Sequence, residues 1–418
     1  MMRKKILFVI NTLGGAGAET AMMELLRSLP PQQYEVSLFV LMNQGEMVHQ
    51  LPDHVTLLNK DFCDDSVLSR EGKSRLNRYI LRTMFRKGSL FKNFPYVLCN
   101  LFRMMKGRAV LPDKLLWRVM SDGAPGQELD GEPGKKLDGK LGREKEYDLA
   151  VAYLEGGSAY YVADHVTARK KAGFIHIDYG KAGYTRELDR GCYENFDRIF
   201  AVSGEVREHF LDTYPEYDEK TEIFYNLINP GRIRERAQMS GGFEDEYDGI
   251  RILTVGRLTA QKAYGIAVEA MKLLREEGVE ARWYVLGEGE ERKNLEKRIK
   301  EYGLERDFLL LGAQENPYPY YAQTDLYVHA TRYEGKSIAI QEAQVLGCAI
   351  LVSDCSGNRE QVEDGVDGRM CDLTAEGIRD GVLEMVRDRE ACRRYGEAAS
   401  KKVTGQQKQL ARFLALLK

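Results

Sequence analysis

Cysteine and long apolar runs are scarce in this chain, and both shortages exclude classes of protein. The seven cysteines are odd in number, scattered and never spaced C-x-x-C, so neither a disulfide framework nor a cysteine-based zinc site is expected. This usage fits a reducing cytoplasm best. The amino-terminal apolar run at 6–10 is short for a signal peptide, and no stretch approaches the roughly 18 residues that span a bilayer. Any membrane contact is therefore expected to be peripheral.

An excess of one charge and paired aspartates are missing as well. The formal net charge of 418 residues is only −3, which gives no whole-molecule reason to expect nucleic acid as a partner. No two aspartates stand at D-x-D spacing, and the nearest acidic cluster, at 244–246, lies in a stretch typical of a linker. A diphosphate site that depends on Mg²⁺ or Mn²⁺ is disfavoured, so we predict no metal and no cofactor.

Apolar strand-like runs alternate with helical patterns, which is typical of parallel sheets with crossover helices. The predicted strands before the acidic, glycine-bearing segment 241–249 are Ile6–Ile10, Val36–Leu41, Val55–Leu58, Leu149–Leu154, Ala172–Ile177, Ile199–Ser203 and Glu222–Leu227. Those after it are Ile250–Val255, Trp283–Leu286, Phe308–Leu311, Leu326–Ala330 and Ile350–Ser353.

This pattern predicts an α/β protein with two doubly wound, Rossmann-like domains that face a cleft. The first domain is predicted at 1–235, a linker at 236–249 and the second domain at 250–403. A carboxy-terminal helix at 404–418 has helical apolar spacing and would pack back on the first domain.

Two regions break the alternation, a basic helical insertion predicted at 64–120 and the segment after it. Residues 70–120 hold thirteen Lys or Arg against two acidic residues, with aromatic and aliphatic side chains interleaved. A basic amphipathic stretch of this kind suits an anionic lipid surface. The alternative is an insertion packed on the domain with solvated cations outside. Residues 121–146 are rich in glycine and charge, which predicts a mobile loop.

The turn after the first strand of each predicted domain is a candidate for binding an anion. Glycines at 14–17 would let backbone N–H groups approach a phosphate, but the spacing is not G-x-G-x-x-G and a plain tight turn would look the same. The second turn, VGRLTAQK at 255–262, places Arg257 and Lys262 at a strand end. Two cations there suit a diphosphate that gains charge when its bond to a sugar breaks, with plain solvated cations as the alternative.

The segment Asp325–Ala343, DLYVHATRYEGKSIAIQEA, is the most informative part of the chain. An apolar strand runs into a loop that holds Glu334, and a helix then begins near Ser337 and carries Glu342. The start of that helix offers N–H groups to a phosphate. Two carboxylates would repel a phosphate, and they suit hydroxyl groups of a ribose and of a sugar instead. The segment therefore predicts a nucleotide-sugar site.

Two histidines end or occupy predicted strands. His176 ends a strand of the first domain, where it could donate to a sugar hydroxyl, although a histidine at a strand end is as often structural. His329 lies within a strand and is interpreted as buried packing.

Five segments together resemble the retaining glycosyltransferases of family 4, which have the two-domain GT-B fold. They are VGRLTAQK at 255–262, YVLGEGEER at 284–292, LLGAQENPYPYY at 310–321, RYEGKSIAIQEA at 332–343 and SDCSGNREQVEDGVDG at 353–368. The resemblance is strongest over 250–368 and weakest over 60–147. The variant is similar to transferases that build bacterial surface polysaccharides.

The resemblance implies roles for individual residues. Arg257 and Lys262 match the diphosphate-binding pair. Glu342 matches the glutamate that holds the ribose hydroxyls, and Glu334 matches the one beside the donor sugar. The remaining matches are Gly15 beside the diphosphate, His176 beside the sugar, the backbone of Asn316, Pro317 and Tyr318 along the base, and the N–H groups of Ser337 and Ile338 on the distal phosphate.

The chain departs from the family pattern at two places. Ala263 follows Lys262 where the family often has glycine, so this turn is expected to be less free. Ser337 replaces the second glycine of E-G-F-G and is expected to cap the helix, and Lys336 adds a cation near the phosphates.

These observations predict a metal-independent retaining hexosyltransferase with His176, Glu334, Arg257 and Lys262 as catalytic residues. It would move a hexose from a nucleotide diphosphate sugar, UDP rather than GDP, to a hydroxyl of a glycan or lipid-linked acceptor in polysaccharide biosynthesis. It would be cytoplasmic, with peripheral contact to the inner face of the cell membrane through 70–120. Two alternatives stay open, a nucleotide-sugar epimerase on the same fold and a non-catalytic subunit that binds nucleotide sugars or glycans.

Overall fold

The computed structural model describes residues 3–15, 17–67, 69–105, 112–124, 147–402 and 406–417. The chain divides into two compact units, Met1–Leu227 with Gln407–Lys418, and Ile228–Gln406. The sequence predicts a first domain that runs to 235, whereas the structure assigns residues 228–235 to the second unit. The reason is a contact between residues far apart in sequence. Asn316 donates from Nδ2 to the carbonyl oxygen of Arg236 at 2.9 Å, which ties the helix that begins at Pro230 to the second unit.

A seven-stranded, wholly parallel sheet in the order β3-β2-β1-β4-β5-β6-β7 forms the first unit. Its strands are β1 Lys4–Ile10, β2 Tyr34–Val40, β3 Val55–Leu57, β4 Tyr147–Ala152, β5 Ala168–Ile175, β6 Arg198–Ala201 and β7 Thr221–Ile223. All seven strands predicted for this part of the chain are present. The strand order reverses between β1 and β4, and open α/β sheets bind ligands at such a switch point, beyond the carboxyl ends of the strands.

Eight helices described for the first unit lie between these strands along the chain. They are α1 Gly17–Arg27, α2 Arg70–Phe85, α3 Ser89–Lys92, α4 Phe94–Met105, α5 Pro112–Gly123, α6 Gly157–His165, α7 Arg186–Asp189 and α8 Gly204–Thr213. Successive side chains of a strand point to opposite faces. In β1, Leu7 and Val9 enter one hydrophobic core, and Ile6, Phe8 and Ile10 enter the other. Burial on both faces explains why β1 is a continuous apolar run.

Helices α2–α5 form the predicted basic insertion as far as it is described. Arg118 of α5 pairs with Asp164 and donates to the carbonyl oxygen of Asp189, which ties the insertion to α6 and α7. Helix α5 continues to Gly123, and Ser121 and Ala124 are buried, so it extends into the segment predicted as a loop at 121–146. The rest of that predicted loop lies outside the described residues.

The second unit contains a six-stranded parallel sheet in the order β10-β9-β8-β11-β12-β13. Its strands are β8 Ile250–Val255, β9 Ala281–Leu286, β10 Phe308–Gly312, β11 Leu326–His329, β12 Ile350–Ser353 and β13 Arg369–Cys371. The sequence predicts all of these except β13, which has three half-buried residues and no apolar run. The two doubly wound parallel sheets confirm the predicted fold class. The switch point of this sheet lies between β8 and β11.

Eight helices described for the second unit surround its sheet. They are α9 Pro230–Ala237, α10 Tyr264–Glu276, α11 Arg292–Glu301, α12 Tyr318–Gln323, α13 Ile338–Val345, α14 Ser356–Arg359, α15 Ala375–Arg387 and α16 Arg389–Lys402. The core is centred on Trp283, whose Nε1–H donates to Thr254 Oγ1 at 2.9 Å, so this large side chain is buried without an unsatisfied donor.

The last helix, α17 Gln406–Ala415, contributes to the core of the first unit. Phe413 is fully buried, and its ring stacks on that of Phe8 with centroids 6.0 Å apart. The end of the chain therefore packs on the unit in which the chain begins.

Candidate functional site

The switch point of the second sheet brings two of the motifs together. Strands β8 and β11 are neighbours, with Leu326 opposite Ile252 and Tyr327 opposite Leu253. The loop after β8 carries Lys262, and the loop after β11 carries Glu334. Because the carboxyl ends of parallel strands meet at one edge of a sheet, residues 72 positions apart in sequence lie side by side.

Lys262 and Glu334 form a largely buried ion pair. Lys262 Nζ bonds Glu334 Oε2, and the two side chains are 15% and 14% exposed. Burial alone would raise the pKa of Glu334, but the ammonium of Lys262 and the hydrogen bond from His329 lower it to about 2. Glu334 is therefore an anion at neutral pH, and it acts as a hydrogen-bond acceptor only.

His329 is part of this cluster, contrary to its interpretation as packing alone. Its Nε2 lies 3.2 Å from Glu334 Oε2 and 3.2 Å from Lys262 Nζ. The Nδ1 atom lies 3.0 Å from the hydroxyl oxygen of Tyr327. Burial and the nearby cation lower the pKa of His329, so the ring is neutral. The sequence gives no local signal for this role, since Lys262 reaches the ring from the loop after a different strand.

The surroundings of Arg257 differ from those of Lys262. Its side chain is exposed, and it forms no ion pair with any residue in the described part of the chain. A solvated guanidinium at this switch point can reorient toward a bound anion, because no partner has to be given up first.

Glu342 lies in α13 and is 7% exposed. The Tyr318 hydroxyl donates to its Oε1 at 3.0 Å, and the Tyr321 hydroxyl donates to its Oε2 at 3.3 Å. Both tyrosines belong to α12, so one helix orients a carboxylate of another. The sequence identifies Tyr318 only by its backbone, and the hydroxyl contact comes from the structure.

The predicted base-binding segment begins at Asn316 and Pro317, immediately before α12. Besides the Asn316 contact to α9, the guanidinium of Arg236 lies 5.2 Å from the centroid of the Tyr318 ring, and its Nη2 donates to the carbonyl oxygen of Glu315 at 2.7 Å. Arg236 is a site residue that the sequence did not single out, because it lies in a segment predicted as the start of the linker.

Helix α13 begins at Ile338, as predicted, with Ser337 in the N-cap position. The Ser337 side chain makes no capping hydrogen bond, which corrects the expected capping role. Ser337 is 5% exposed, and its carbonyl oxygen accepts a hydrogen bond from Gln361 Nε2 at 3.4 Å. The orientation of Ser337 is therefore determined by its packing and not by a capping bond. The neighbouring Lys336 has its pKa lowered to about 8 by burial and by the cation of Lys402, which leaves it mostly protonated at neutral pH.

Two tight backbone positions shape the loops of this site. A Cβ atom at Gly357 would lie 2.1 Å from the carbonyl oxygen of Glu334 and 2.2 Å from that of Gly335, so glycine is required for this close approach. Ala263 adopts φ +48°, in the left-handed region that favours glycine. The family glycine after the lysine is therefore absent, but its conformation is kept.

The first unit contains the other two predicted site residues. Nε2 of His176 is buried and has no hydrogen-bond partner among the described residues, and burial lowers the pKa of this ring to about 3. The backbone N–H of His176 donates to Glu155 Oε2 at 3.0 Å. A neutral imidazole with an unsatisfied buried nitrogen can bond a ligand hydroxyl. The supporting Glu155, just after β4, is a residue that the sequence analysis missed.

Gly15 follows β1, as predicted, but its amide already has an anionic partner. Its N–H donates to Glu46 Oε1 at 3.0 Å, and Ser66 Oγ donates to the same oxygen at 3.1 Å. A phosphate on this amide would have to replace the Glu46 carboxylate.

Within the described ranges, the side chains of Asp178, Glu205 and His209 form one group with potential metal-ligand atoms within 4.8 Å of one another. Lys181 Nζ lies 2.8 Å from Asp178 Oδ2, so a cation already occupies a position that a metal would need. The expectation that no metal takes part stays a prediction.

The family comparison bears on the second unit. Residues 243–402 match the model of the family described as glycosyl transferases group 1. The matched residues lie within the second unit of the chain. This result confirms the predicted relationship to glycosyltransferases at the level of group 1. The match includes Lys262, Glu334, Glu342 and the segment 316–318, so the predicted donor residues of the second unit all lie within the matched residues.

The matches to two curated relatives are longer than the match over residues 243–402. The chain is 29% identical over 244 residues to the N-acetylgalactosamine-N,N'-diacetylbacillosaminyl-diphospho-undecaprenol 4-alpha-N-acetylgalactosaminyltransferase of Campylobacter jejuni, covering 58% of this chain and 61% of the relative. It is 25% identical over 217 residues to the lipopolysaccharide core biosynthesis glycosyltransferase LpsE of Rhizobium meliloti, covering 51% of this chain and 61% of the relative. In both cases the match spans less than two thirds of the relative.

Solved structures agree on the fold. Anabaena HepE in complex with UDP-glucose superimposes with a TM-score of 0.63 at 14% identity, covering 98% of this chain and 99% of that chain. Staphylococcus aureus TarM superimposes with a TM-score of 0.53 at 18% identity, covering 65% and 54%. At these identities the likeness shows the fold, which is the predicted GT-B type. No helix in the described part of the chain is long and apolar enough to cross a bilayer.

Proposed function

We propose that the protein is a retaining, family 4-type glycosyltransferase that moves a hexose from a UDP-sugar to a hydroxyl group of a glycan or lipid-linked glycan in surface-polysaccharide biosynthesis. The observation that carries the proposal is the cluster at the switch point of the second sheet. There, Lys262 is paired with Glu334, and Glu342 is held by two tyrosine hydroxyls nearby in sequence. Cations for a diphosphate and oriented acceptors for hydroxyl groups are what a nucleotide-sugar site requires.

Charge stabilisation is the main chemical task proposed for the second unit. The bond between C1 of the sugar and the β-phosphate oxygen breaks, and that oxygen gains negative charge. Lys262, the free guanidinium of Arg257 and the N–H groups at the start of α13 would stabilise the leaving diphosphate without a metal. Lys262 has to leave Glu334 for this, so donor binding exchanges one anionic partner for another.

The acceptor oxygen attacks C1 from the face that the diphosphate leaves, so the anomeric configuration is retained. The acceptor O–H bond breaks, its proton passes to the departing phosphate oxygen, and the new C1–O bond forms. The resemblance to the retaining transferases favours this direct route over a covalent intermediate. His176, with a neutral ring and a free Nε2, is proposed to bond a substrate hydroxyl during transfer.

UDP is proposed over GDP on two grounds. The structure of the Anabaena neighbour HepE was solved in complex with UDP-glucose. In this chain Arg236 lies 5.2 Å from the centroid of the Tyr318 ring, so a guanidinium borders the base segment 316–318 and can donate to the carbonyl oxygens of a uracil. A lipid-linked acceptor is proposed because the name of the Campylobacter relative includes a diphospho-undecaprenol acceptor.

A panel of UDP- and GDP-sugars tests the proposal, with UDP or GDP release followed with and without glycan and diphospho-lipid acceptors. We expect release from one UDP-sugar, strongly stimulated by an acceptor, and loss of release in Lys262→Ala. An epimerase would interconvert the donor without an acceptor. A non-catalytic subunit would bind UDP-sugars tightly and release nothing. Absence of any binding or turnover would refute the proposal.

Contact with the inner face of the cell membrane is the second part of the proposal, and an exposed stripe carries it. Seven of the eleven exposed large hydrophobic side chains in the described residues lie on α2–α4: Leu81, Phe85, Phe91, Phe94, Leu98, Leu101 and Phe102. On α4 they recur at i, i+4, i+7 and i+8, while Tyr96 and Asn100 on the other side are buried. The apolar stripe of this helix therefore faces outward.

Exposed cations accompany the stripe, including Lys73, Arg78, Arg82 and Lys92. Apolar side chains with surrounding cations suit anionic lipid headgroups. Vesicle pelleting should show binding to anionic vesicles that weakens with salt, and Phe91→Ser with Phe94→Ser should abolish it. The control is Leu311→Ser, an exposed leucine of the second unit. Equal pelleting of both variants, or binding indifferent to salt, would remove this part of the proposal.

A further inference from the structure

His329 is almost fully buried in strand β11, at 1% exposure, yet both ring nitrogens meet polar partners. Nδ1 meets the Tyr327 hydroxyl at 3.0 Å, and Nε2 meets Glu334 Oε2 and Lys262 Nζ, each at 3.2 Å. An apolar side chain would fill the same volume without these contacts. The ring therefore links a buried hydroxyl in the sheet to the ion pair at its edge.

The chemistry of the partners limits what the ring can do. An ionised carboxylate only accepts hydrogen bonds, and an ammonium only donates them. If Nε2 carries the hydrogen, the ring donates to Glu334 and accepts at Nδ1 from Tyr327. If Nδ1 carries it, the ring donates to Tyr327 and accepts at Nε2 from Lys262. The Tyr327 hydroxyl serves either tautomer, so His329 can satisfy whichever of the two charged groups requires it.

This freedom matters when a diphosphate binds. Under the proposed function, Lys262 turns from Glu334 toward the leaving group, and the buried Glu334 carboxylate loses its strongest donor. A buried anion without a donor is strongly disfavoured and would move or take up a proton. The Nε2–H of His329 is the donor already in reach.

We propose that His329 is a positioning residue, which holds the Glu334 carboxylate oriented toward the donor sugar once Lys262 has engaged the diphosphate, while the Tyr327 hydroxyl donates to Nδ1 from behind. The inference rests on the proposed function. It assigns a task to a strand histidine that contacts no substrate itself. It also predicts an effect on the sugar and not on the nucleotide, because Glu334 serves the sugar side of the donor.

Substitutions at 329 separate the two ring nitrogens. Glutamine places an amide N–H where Nε2 lies and can reach Glu334. Asparagine is too short to do so and resembles only the Nδ1 side. Leucine fills the volume with no donor. Tyr327→Phe removes the hydroxyl behind the ring, and its matched control is Tyr284→Phe on β9, which also loses a hydroxyl bond, to Asp245, at a distance of 2.5 Å.

The measurements are UDP affinity by calorimetry, UDP-sugar affinity, and kcat and KM for transfer. For His329→Leu and His329→Asn we expect UDP affinity within about threefold of wild type and kcat/KM for transfer lowered by roughly 10- to 100-fold, the scale of a slightly misplaced site group. His329→Gln should recover most of this loss. The kcat/KM of Tyr327→Phe should lie between those of wild type and His329→Leu, and the kcat/KM of Tyr284→Phe should match that of wild type.

Several outcomes would overturn the inference. Equal transfer by His329→Gln and His329→Asn would do so even if the leucine variant fails to fold, since that pair differs only in reach toward Glu334. A parallel loss of UDP and UDP-sugar affinity would indicate a purely structural role. If wild type binds UDP and transfers sugar, and every variant transfers at the wild-type rate, only the inference about His329 fails. If wild type binds no UDP, the proposed function fails as well.

Discussion

The Tyr318 hydroxyl donates to Oε1 of Glu342 at 3.0 Å, so a residue beside the predicted base segment orients the carboxylate predicted to read the ribose. The two residues are 24 positions apart and lie on different helices. This contact couples the part of the site assigned to the base with the part assigned to the sugar ring of the nucleotide.

Tyr318→Phe should therefore weaken the recognition of ribose hydroxyls. We expect UDP affinity to fall by roughly three- to tenfold, the scale of one typical net hydrogen bond, because Tyr318 acts through Glu342, and Glu342→Ala to lower the affinity further. Calorimetry with UDP and with 2′-deoxy-UDP checks the cause. Wild type should prefer UDP, and both variants should lose most of that preference. An undiminished preference in Glu342→Ala would show that this carboxylate does not read the ribose.

The depressed pKa of Glu334 predicts a pH dependence of stability. The folded pKa is about 2 against an ordinary value of 4.5, so the ion pair stabilises the fold fully above the unfolded pKa and loses its effect as pH falls toward 2. Relative to Glu334→Gln, wild type should lose about 2 kcal/mol of this advantage between about pH 6 and pH 3. Chemical unfolding of both proteins at a series of pH values measures this difference in the free energy of unfolding. A constant difference would mean that the pair is not formed.

Gly357→Ala should disturb the loop that carries Glu334. The added methyl group would lie 2.1 and 2.2 Å from two carbonyl oxygens, far inside van der Waals contact, so the loop must shift. We expect a loss of about 2 kcal/mol or more of stability, typical of overpacking, together with weaker donor binding. Gly180→Ala is the control, since its nearest atom lies 3.9 Å away. Similar behaviour of the two variants in thermal unfolding would contradict the close packing.

Ala263→Gly should stabilise the protein although it removes a methyl group. Ala263 has φ +48°, where an L-residue is strained by about 1–2 kcal/mol, and glycine gives back part of that gain through greater freedom in the unfolded chain. The expected net gain is about 0.5–1 kcal/mol. Ala267→Gly, within α10, should instead lose about 1 kcal/mol. Thermal unfolding of the pair gives the signs, and a loss in both variants would exclude left-handed strain at 263.

His176→Ala should spare UDP binding and slow transfer. Its Nε2 has no partner among the described residues, so the histidine is free to bond a substrate hydroxyl, and removing it leaves the nucleotide contacts intact. We expect kcat to fall by roughly 100-fold, within the usual range for a group that assists proton transfer or charge development. Normal transfer by this variant would remove His176 from the mechanism.

Most strands were predictable because parallel strands buried on both faces appear as apolar runs, as residues 6–10 of β1 and most of β12 do. Strand β13 was not, because its three residues are only half-buried and carry no such run. The ends of the domains were harder still, since α9 joins the second unit through a contact between Asn316 and Arg236, which lie 80 residues apart.

The candidate site was predictable in the identity of its charged residues and not in their pairing. Strand ends, the helix start and the family motifs locate Lys262, Glu334 and Glu342. The Lys262–Glu334 ion pair joins the loops that follow two different strands, so no local pattern signals it. His329 has the strand periodicity of a core residue. Its polar role is revealed only by Lys262, from the loop after β8, and by Glu334, from the loop that follows β11.

The anomeric configuration of the transferred sugar tests the central claim most directly. Wild-type protein would be incubated with its α-linked UDP-sugar and acceptor, with a chelator present, and the product examined by proton NMR. The account predicts an α-linked product formed at an undiminished rate, and none with Lys262→Ala. A β-linked product, or transfer that stops when divalent cations are removed, would contradict it.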